Sequence, residues 1–199
     1  KCPQAQLFVG HDYQGPITTA ALLMGQDFFM LPYDDPARAH RLLDFCVRSA
    51  VSYSRALRVH LGRSIEPGPI GMPDDFAGMF EPETFGEFVA PYWDRMYAEQ
   101  RATRRGLHCE MLREGHLHYL AKIRMDEYDP SVAHSLTPEI LRRSCPVRYG
   151  LRIWPSEVIA RSADELVALY RHLASFQPAY IMFHFERLAD EPKIAALMR

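Results

Sequence analysis

Cysteine is scarce in this chain of 199 residues: four, at Cys2, Cys46, Cys109 and Cys145, with no C-x-x-C pair among them. Spacings that wide exclude a dense disulfide framework, and a chain of this length can bury a core without one. Long apolar runs are missing too. None approaches the ~18 residues that a membrane-crossing helix needs, so no membrane partner is expected. The opening KCPQAQLFVG has no hydrophobic stretch of signal-peptide length and no starting Met. A cytoplasmic, reduced protein is the default expectation. An excess of basic charge is likewise absent, since 23 Lys and Arg stand against 25 Asp and Glu for a net charge of -2. Without a basic stripe, nucleic acid is not an expected partner. Internal repeats, low-complexity stretches and linkers are also wanting, so residues 1–199 read as one domain.

What is present is a regular alternation of short apolar runs and amphipathic stretches. Strand candidates fall at Leu7–Gly10, Ile70–Met72, Leu107–Met111, Met125–Tyr128, Val147–Ile153 and Ala179–Phe185. Between them, Gly15-Pro16 precedes a helix over Ile17–Met24, and Asp35-Pro36 caps a long one ending at Gly62. The apolar stripe expected on that long helix is Leu42, Leu43, Cys46, Ala50, Tyr53, Leu57 and Leu61. Pro82 opens a second long helix expected to run to Gly106. Shorter helices follow around Gly115–Ile123, Thr137–Arg143 and Glu191-Pro192. Ser162-x-x-Glu165 forms a capping box for another. Strand and helix in strict alternation imply parallel β/α units.

Each strand candidate ends in polar residues: His11-Asp12, Asp74-Asp75, Glu110, Asp126 with Asp129, Arg152, and His184 with Glu186. In parallel α/β folds the functional groups gather at the carboxyl ends of the strands. Asp75 and Asp74 are therefore the leading site candidates, with Glu110, His11 and His184 as further acid–base groups. Tyr13, His108, Asp129, Arg152 and Trp154 are candidate substrate contacts. His116 and His118, two apart on a helix, do not face one another, and a joint metal site there is not expected. His40, His60 and His172 read as helix-surface or packing residues.

The segment from Pro73 to Trp93, PDDFAGMFEPETFGEFVAPYW, resembles the uroporphyrinogen decarboxylase superfamily, which includes corrinoid-dependent methyltransferases. Gly15-Pro16 with Gly25, Tyr33-Asp34-Asp35-Pro36, and His108-Cys109-Glu110 extend the likeness over approximately residues 5–185. The resemblance implies a TIM-type (β/α)8 barrel, here incomplete at about six β/α units, with the amino-terminal third lacking. It also implies a small-molecule substrate. In the methyltransferases the methyl group travels by way of a corrinoid on a partner protein. Two decarboxylase features have no counterpart: a Tyr in the helix after Gly15-Pro16, where Thr18 to Leu22 stand, and a Gly-His-Gly loop after the last strand, where Met182-Phe183-His184-Phe185 stands. Thiol-methylating members carry a His-x-Cys zinc site. Here His108 and Cys109 are adjacent, and neighbours on a strand point to opposite faces, so zinc is not expected. The expected function is corrinoid-dependent methyl transfer. Decarboxylation of a tetrapyrrole or other acid, and a non-catalytic binding role on the same fold, are the alternatives.

Overall fold

A computed structural model describes residues 13–131 and 135–198 of the chain. The strand candidate Leu7–Gly10 and the site candidate His11 lie outside these residues. Pro16 opens α1 (Pro16–Met24), where its missing N–H costs nothing, and Gly25 ends it at a φ of 70°. After the single turn α2 (Leu31–Asp34) comes α3 (Pro36–His60), capped as expected by Asp35, whose carboxylate accepts the Arg38 N–H at 2.9 Å. The buried face of α3 is Ala39, Leu43, Cys46, Val47, Val51 and Ser54. This corrects the expected stripe: Tyr53 is 52% exposed and Leu42, Ala50, Leu57 and Leu61 are only half-buried. Small residues mark much of the real contact, and large-hydrophobe spacing does not register them.

β1 (Gly68–Pro73) leads to α4 (Pro82–Phe88) and α5 (Ala90–Glu99), where one helix reaching Gly106 was expected. Pro91 has no N–H to give the carbonyl of Glu87, so the helix breaks and restarts at Ala90. Arg101, at a φ of 57°, then turns the chain into β2 (Ala102–His108), which takes up the residues assigned to the helix end. Inside β2 the buried Arg105 donates at 2.5 Å to both the Asp94 carboxylate and the Ile123 carbonyl. A polar stretch can thus form a strand because its one buried charge is paired.

The rest of the chain alternates as expected. α6 (Leu117–Lys122), β3 (Glu127–Asp129), α7 (Pro138–Ser144) and β4 (Arg148–Ile153) lead to α8 (Pro155–Ala160), α9 (Ala163–Ser175), β5 (Tyr180–Phe183) and α10 (Glu191–Leu197). Ser162 and Glu165 cap α9 reciprocally. The short α2 and α8 carry too few turns for a periodic signal.

The five strands are parallel and lie in sequence order, β1-β2-β3-β4-β5. Helical crossovers of one hand between successive neighbours put the helices on one face. Ile70, Met72, Leu107, Tyr128, Tyr149, Leu151 and Ile153 are buried beneath that layer. Gly71, Arg104, Gly106, Glu127 and Arg152 alternate with them on the other face. The described sheet does not close on itself: it is an incomplete (β/α)-barrel. No helix among the described residues is long and apolar enough to cross a membrane.

Asp74 sits at the junction of α1, β1 and α5. It is fully buried and accepts from the N–H groups of Ile17 (3.2 Å) and Thr18 (2.6 Å) and from Trp93 Nε1 (2.6 Å). Gly15 makes room for it, because a Cβ there would lie 2.4 Å from the Asp74 Cγ. Burial pushes the Asp74 carboxyl up to about 6, against the pull of the Trp93 and α1 donors. Replacing it leaves those donors unmatched in the core. Asp74→Ala is expected to lower unfolding free energy by about 3–5 kcal/mol in a denaturant titration, and Gly15→Ala to reproduce much of that loss. A variant as stable as wild type would refute the assignment.

Candidate active site

The strand register sets Pro73 beside His108 and His108 beside Asp129, one row along the carboxyl edge of β1, β2 and β3. In that row His108 Nδ1–H donates to Asp129 Oδ2 at 2.9 Å. Arg152, on β4, grips both oxygens of the same carboxylate: Nε reaches Oδ1 at 3.2 Å and Nη2 bonds Oδ2. The Ser131 N–H adds a bond to Oδ1 at 2.9 Å. Burial would push the Asp129 carboxyl up, but the hydrogen bonds from His108 and Arg152 outweigh it and hold Asp129 well below the usual carboxylate range. The Asp129 bond in turn raises the His108 pKa, in opposition to partial burial.

With Nδ1 engaged, His108 presents Nε2 to two carboxylates, Asp75 Oδ1 at 3.5 Å and Glu110 Oε1 at 3.8 Å. Asp75 is steadied by the Glu110 N–H at 3.2 Å. This edge borders a cleft of about 350 Å³ that includes Gly71, Gly106, His108, Asp129, Arg152 and Tyr180. The Tyr180 ring closes over Gly150, where a Cβ would come within 2.3 Å of its Cζ. Burial pushes the Tyr180 phenol up to about 12, leaving it a neutral donor at physiological pH.

Of the residues singled out in the sequence, the structure brings together Asp75, Glu110, His108, Asp129 and Arg152. Trp154 stands next to them, with the Arg152 guanidinium 5.9 Å from its ring centroid. Asp74, adjacent to Asp75, is sealed in the helix layer instead. Tyr13 lies away from the cluster, its hydroxyl donating to Gln100 Oε1 at 3.0 Å. His184 is exposed just beyond β5 and outside the cluster's hydrogen bonds. Cys109 is buried, its thiol directed at the Asp75 carbonyl at 3.6 Å and its pKa raised strongly by burial. Such a thiol is a packing group, turned from the imidazole of His108. Among the described residues no set of three His, Cys, Asp or Glu is arranged to hold a metal ion. His116 is buried and structural, its Nδ1 accepting the Arg113 N–H and its Nε2–H donating to the Phe80 carbonyl, each at 2.9 Å. Tyr180 and Glu127 were not marked by the sequence. Both precede the polar strand ends, and only the alternation of a short strand could have turned them to the cleft.

Beyond this geometry, a family model described as uroporphyrinogen decarboxylase (URO-D) matches residues 8–136. Asp75, His108, Glu110 and Asp129 fall within the match, and Arg152 and Tyr180 beyond it. A search of curated proteins gave no match.

The His108–Asp129 pair makes a claim about pH. A histidine whose pKa is raised on folding adds stability in full below its ordinary value of 6.5, and that share is lost as pH rises through the raised value. NMR titration of the His108 ring is expected to show a pKa above 6.5 in wild type and a lower one in Asp129→Asn. An unchanged titration in that variant would show that Asp129 does not govern the imidazole.

Proposed function

The chain belongs to the uroporphyrinogen decarboxylase family, and from that premise we propose that it is a barrel enzyme moving a methyl group between a small substrate and a corrinoid carried by a partner protein. The observation that carries this reading is the imidazole of His108, its Nδ1 fixed by Asp129 and its Nε2 facing Asp75 and Glu110. A raised pKa enlarges the share of the ring that carries the proton, the form a general acid needs. As a heteroatom–methyl bond breaks, Nε2–H supplies the proton that the heteroatom takes up. In the reverse direction the neutral ring accepts a proton from the incoming heteroatom. Asp75 and Glu110 hold the ring's orientation and the charge it gains. A corrinoid on a partner protein would supply the cobalt that carries the methyl group.

Charge favours this reading over decarboxylation of a tetrapyrrole. Arg152, which lines the cleft with His108, is already bound to Asp129, Glu127 also lines the cleft, and Asp75 and Glu110 stand beside His108 at its edge. A substrate carrying many carboxylates would meet repulsion there, and a small neutral or cationic molecule would not. The same imidazolium could protonate the carbanion left after loss of CO2 from a simpler acid, which keeps decarboxylation as the second reading.

Methyl exchange between cob(I)alamin and a panel of methylated amines, ethers and thioethers, followed by cobalt absorbance, tests the proposal. Turnover is expected in wild type and a loss of about 100-fold or more in His108→Asn. Asp75→Asn is expected to keep the fold and lose about tenfold. CO2 release from a porphyrinogen with no change at cobalt would give the reaction to decarboxylation, and full activity in Asp75→Asn would remove that residue from the site.

A further inference from the structure

Beside the cleft at His108 lies a second recess on the carboxyl side of the sheet. Gly78, Met79, Glu110, Met111, Arg113 and Ser135 line it, and it holds about 390 Å³. That volume falls within the ~300–1,000 Å³ of small-molecule sites. Its walls come from the segments that follow β1, β2 and β3. Close approach fixes the first two, because a Cβ on Gly78 would lie 2.0 Å from the Met111 carbonyl oxygen. Glycine there lets the turn Asp75–Met79 seat directly against the segment after β2. Arg113 ties the same two segments, donating to Glu81 Oε1 at 3.0 Å and to the Phe80 carbonyl at 2.8 Å.

Two features of this lining go unmatched within the chain. Met79 and Met111 are 48% and 42% exposed, so two thioether side chains leave apolar surface in water around one recess. Unbranched, polarisable Met side chains adapt to alkyl groups of varied shape. The Glu110 carboxylate accepts no hydrogen bond among the described residues, and His108 Nε2 stands 3.8 Å from it, beyond hydrogen-bond reach. Arg113, the other charged residue of the lining, is already paired with Glu81. One imidazolium at His108 cannot neutralise both Asp75 and Glu110. A carboxylate free to accept, set beside soft apolar walls, matches a cation that carries an N–H and alkyl groups.

We propose that this recess is a substrate subsite and that the methylated substrate is an alkylammonium ion, its N–H donating to Glu110 beside His108 and its alkyl groups lying against Met79 and Met111. The methyl group rests on the methyl-transfer reading above; the cation and its alkyl groups rest on the recess alone. An ether or thioether offers Glu110 no donor, and a site built around a substrate N–H rejects an analogue that lacks it.

The test is calorimetric titration of the whole chain near neutral pH with N,N-dimethylbutylamine hydrochloride, against butyl methyl ether as its neutral counterpart. Saturable binding of the ammonium ion is expected, with the ether weaker by about tenfold or more. Glu110→Gln is expected to weaken the ammonium ion by about tenfold and to leave the ether unchanged. Met79→Ser combined with Met111→Ser, at exposed positions and with unchanged circular dichroism, is expected to weaken the ammonium ion by about tenfold. No saturable binding in wild type, equal binding of the ether, or undiminished binding in the double methionine variant would each overturn the proposal. Ammonium binding that depends on Glu110 and both methionines, with no methyl group reaching cob(I)alamin, would uphold the subsite and defeat the methyl-transfer reading. Cobalt methylation from an ether or thioether and from no amine would uphold that reading and defeat the subsite.

Discussion

The buried carboxylate of Asp74 is the constraint on which the arrangement turns. Two α1 amides and the Trp93 indole converge on it, so the first helix, the first strand and α5 are fixed relative to one another by a single side chain. No water reaches this point, so the bonds cannot be exchanged for solvent and their geometry is obligatory. The next residue, Asp75, turns the other way and meets the imidazole of His108. Two adjacent carboxylates thus divide between fold and site: the one that is sealed organises the layer, and the one that is reachable can meet a substrate.

From that anchor the rest of the cleft is built by register. A parallel sheet places successive strand ends side by side, and here the row is Pro73, His108 and Asp129. Arg152 reaches back from the next strand and locks Asp129 with two bonds, which orients His108 through the first ring nitrogen and leaves the second for chemistry. Each group is set by the one behind it, as supporting hydrogen bonds orient a reactive imidazole in other folds. Carboxylates dominate the carboxyl edge, where Asp75, Glu110 and Asp129 surround the imidazole of His108.

Much of this is legible in the linear chain. Asp35-Pro36, Thr137-Pro138 and the Ser162–Glu165 box start helices where they were expected, because capping depends on residues within one turn of each other. The polar strand ends marked Asp75, Glu110, Asp129 and Arg152, since parallel β/α folds place such residues on one edge, and His108 entered as a candidate substrate contact beside them. The break at Pro91 and the strand through Arg105 were less visible. A charged residue reads as exposed until its partners, Asp94 and the Ile123 carbonyl, are brought to it from other elements.

The sequence by itself determined the parallel β/α class and most residues of the carboxyl-edge cluster, because these rest on local periodicity, capping and strand-end placement, and the likeness of its Pro73–Trp93 segment pointed to the family. Only the tertiary structure separated Asp74 from Asp75, moved Tyr13 away from the cleft and added Tyr180 above Gly150. Each of those outcomes depends on partners distant along the chain. A carboxylate's role follows from which donors surround it in space, and neighbours in sequence do not carry that information.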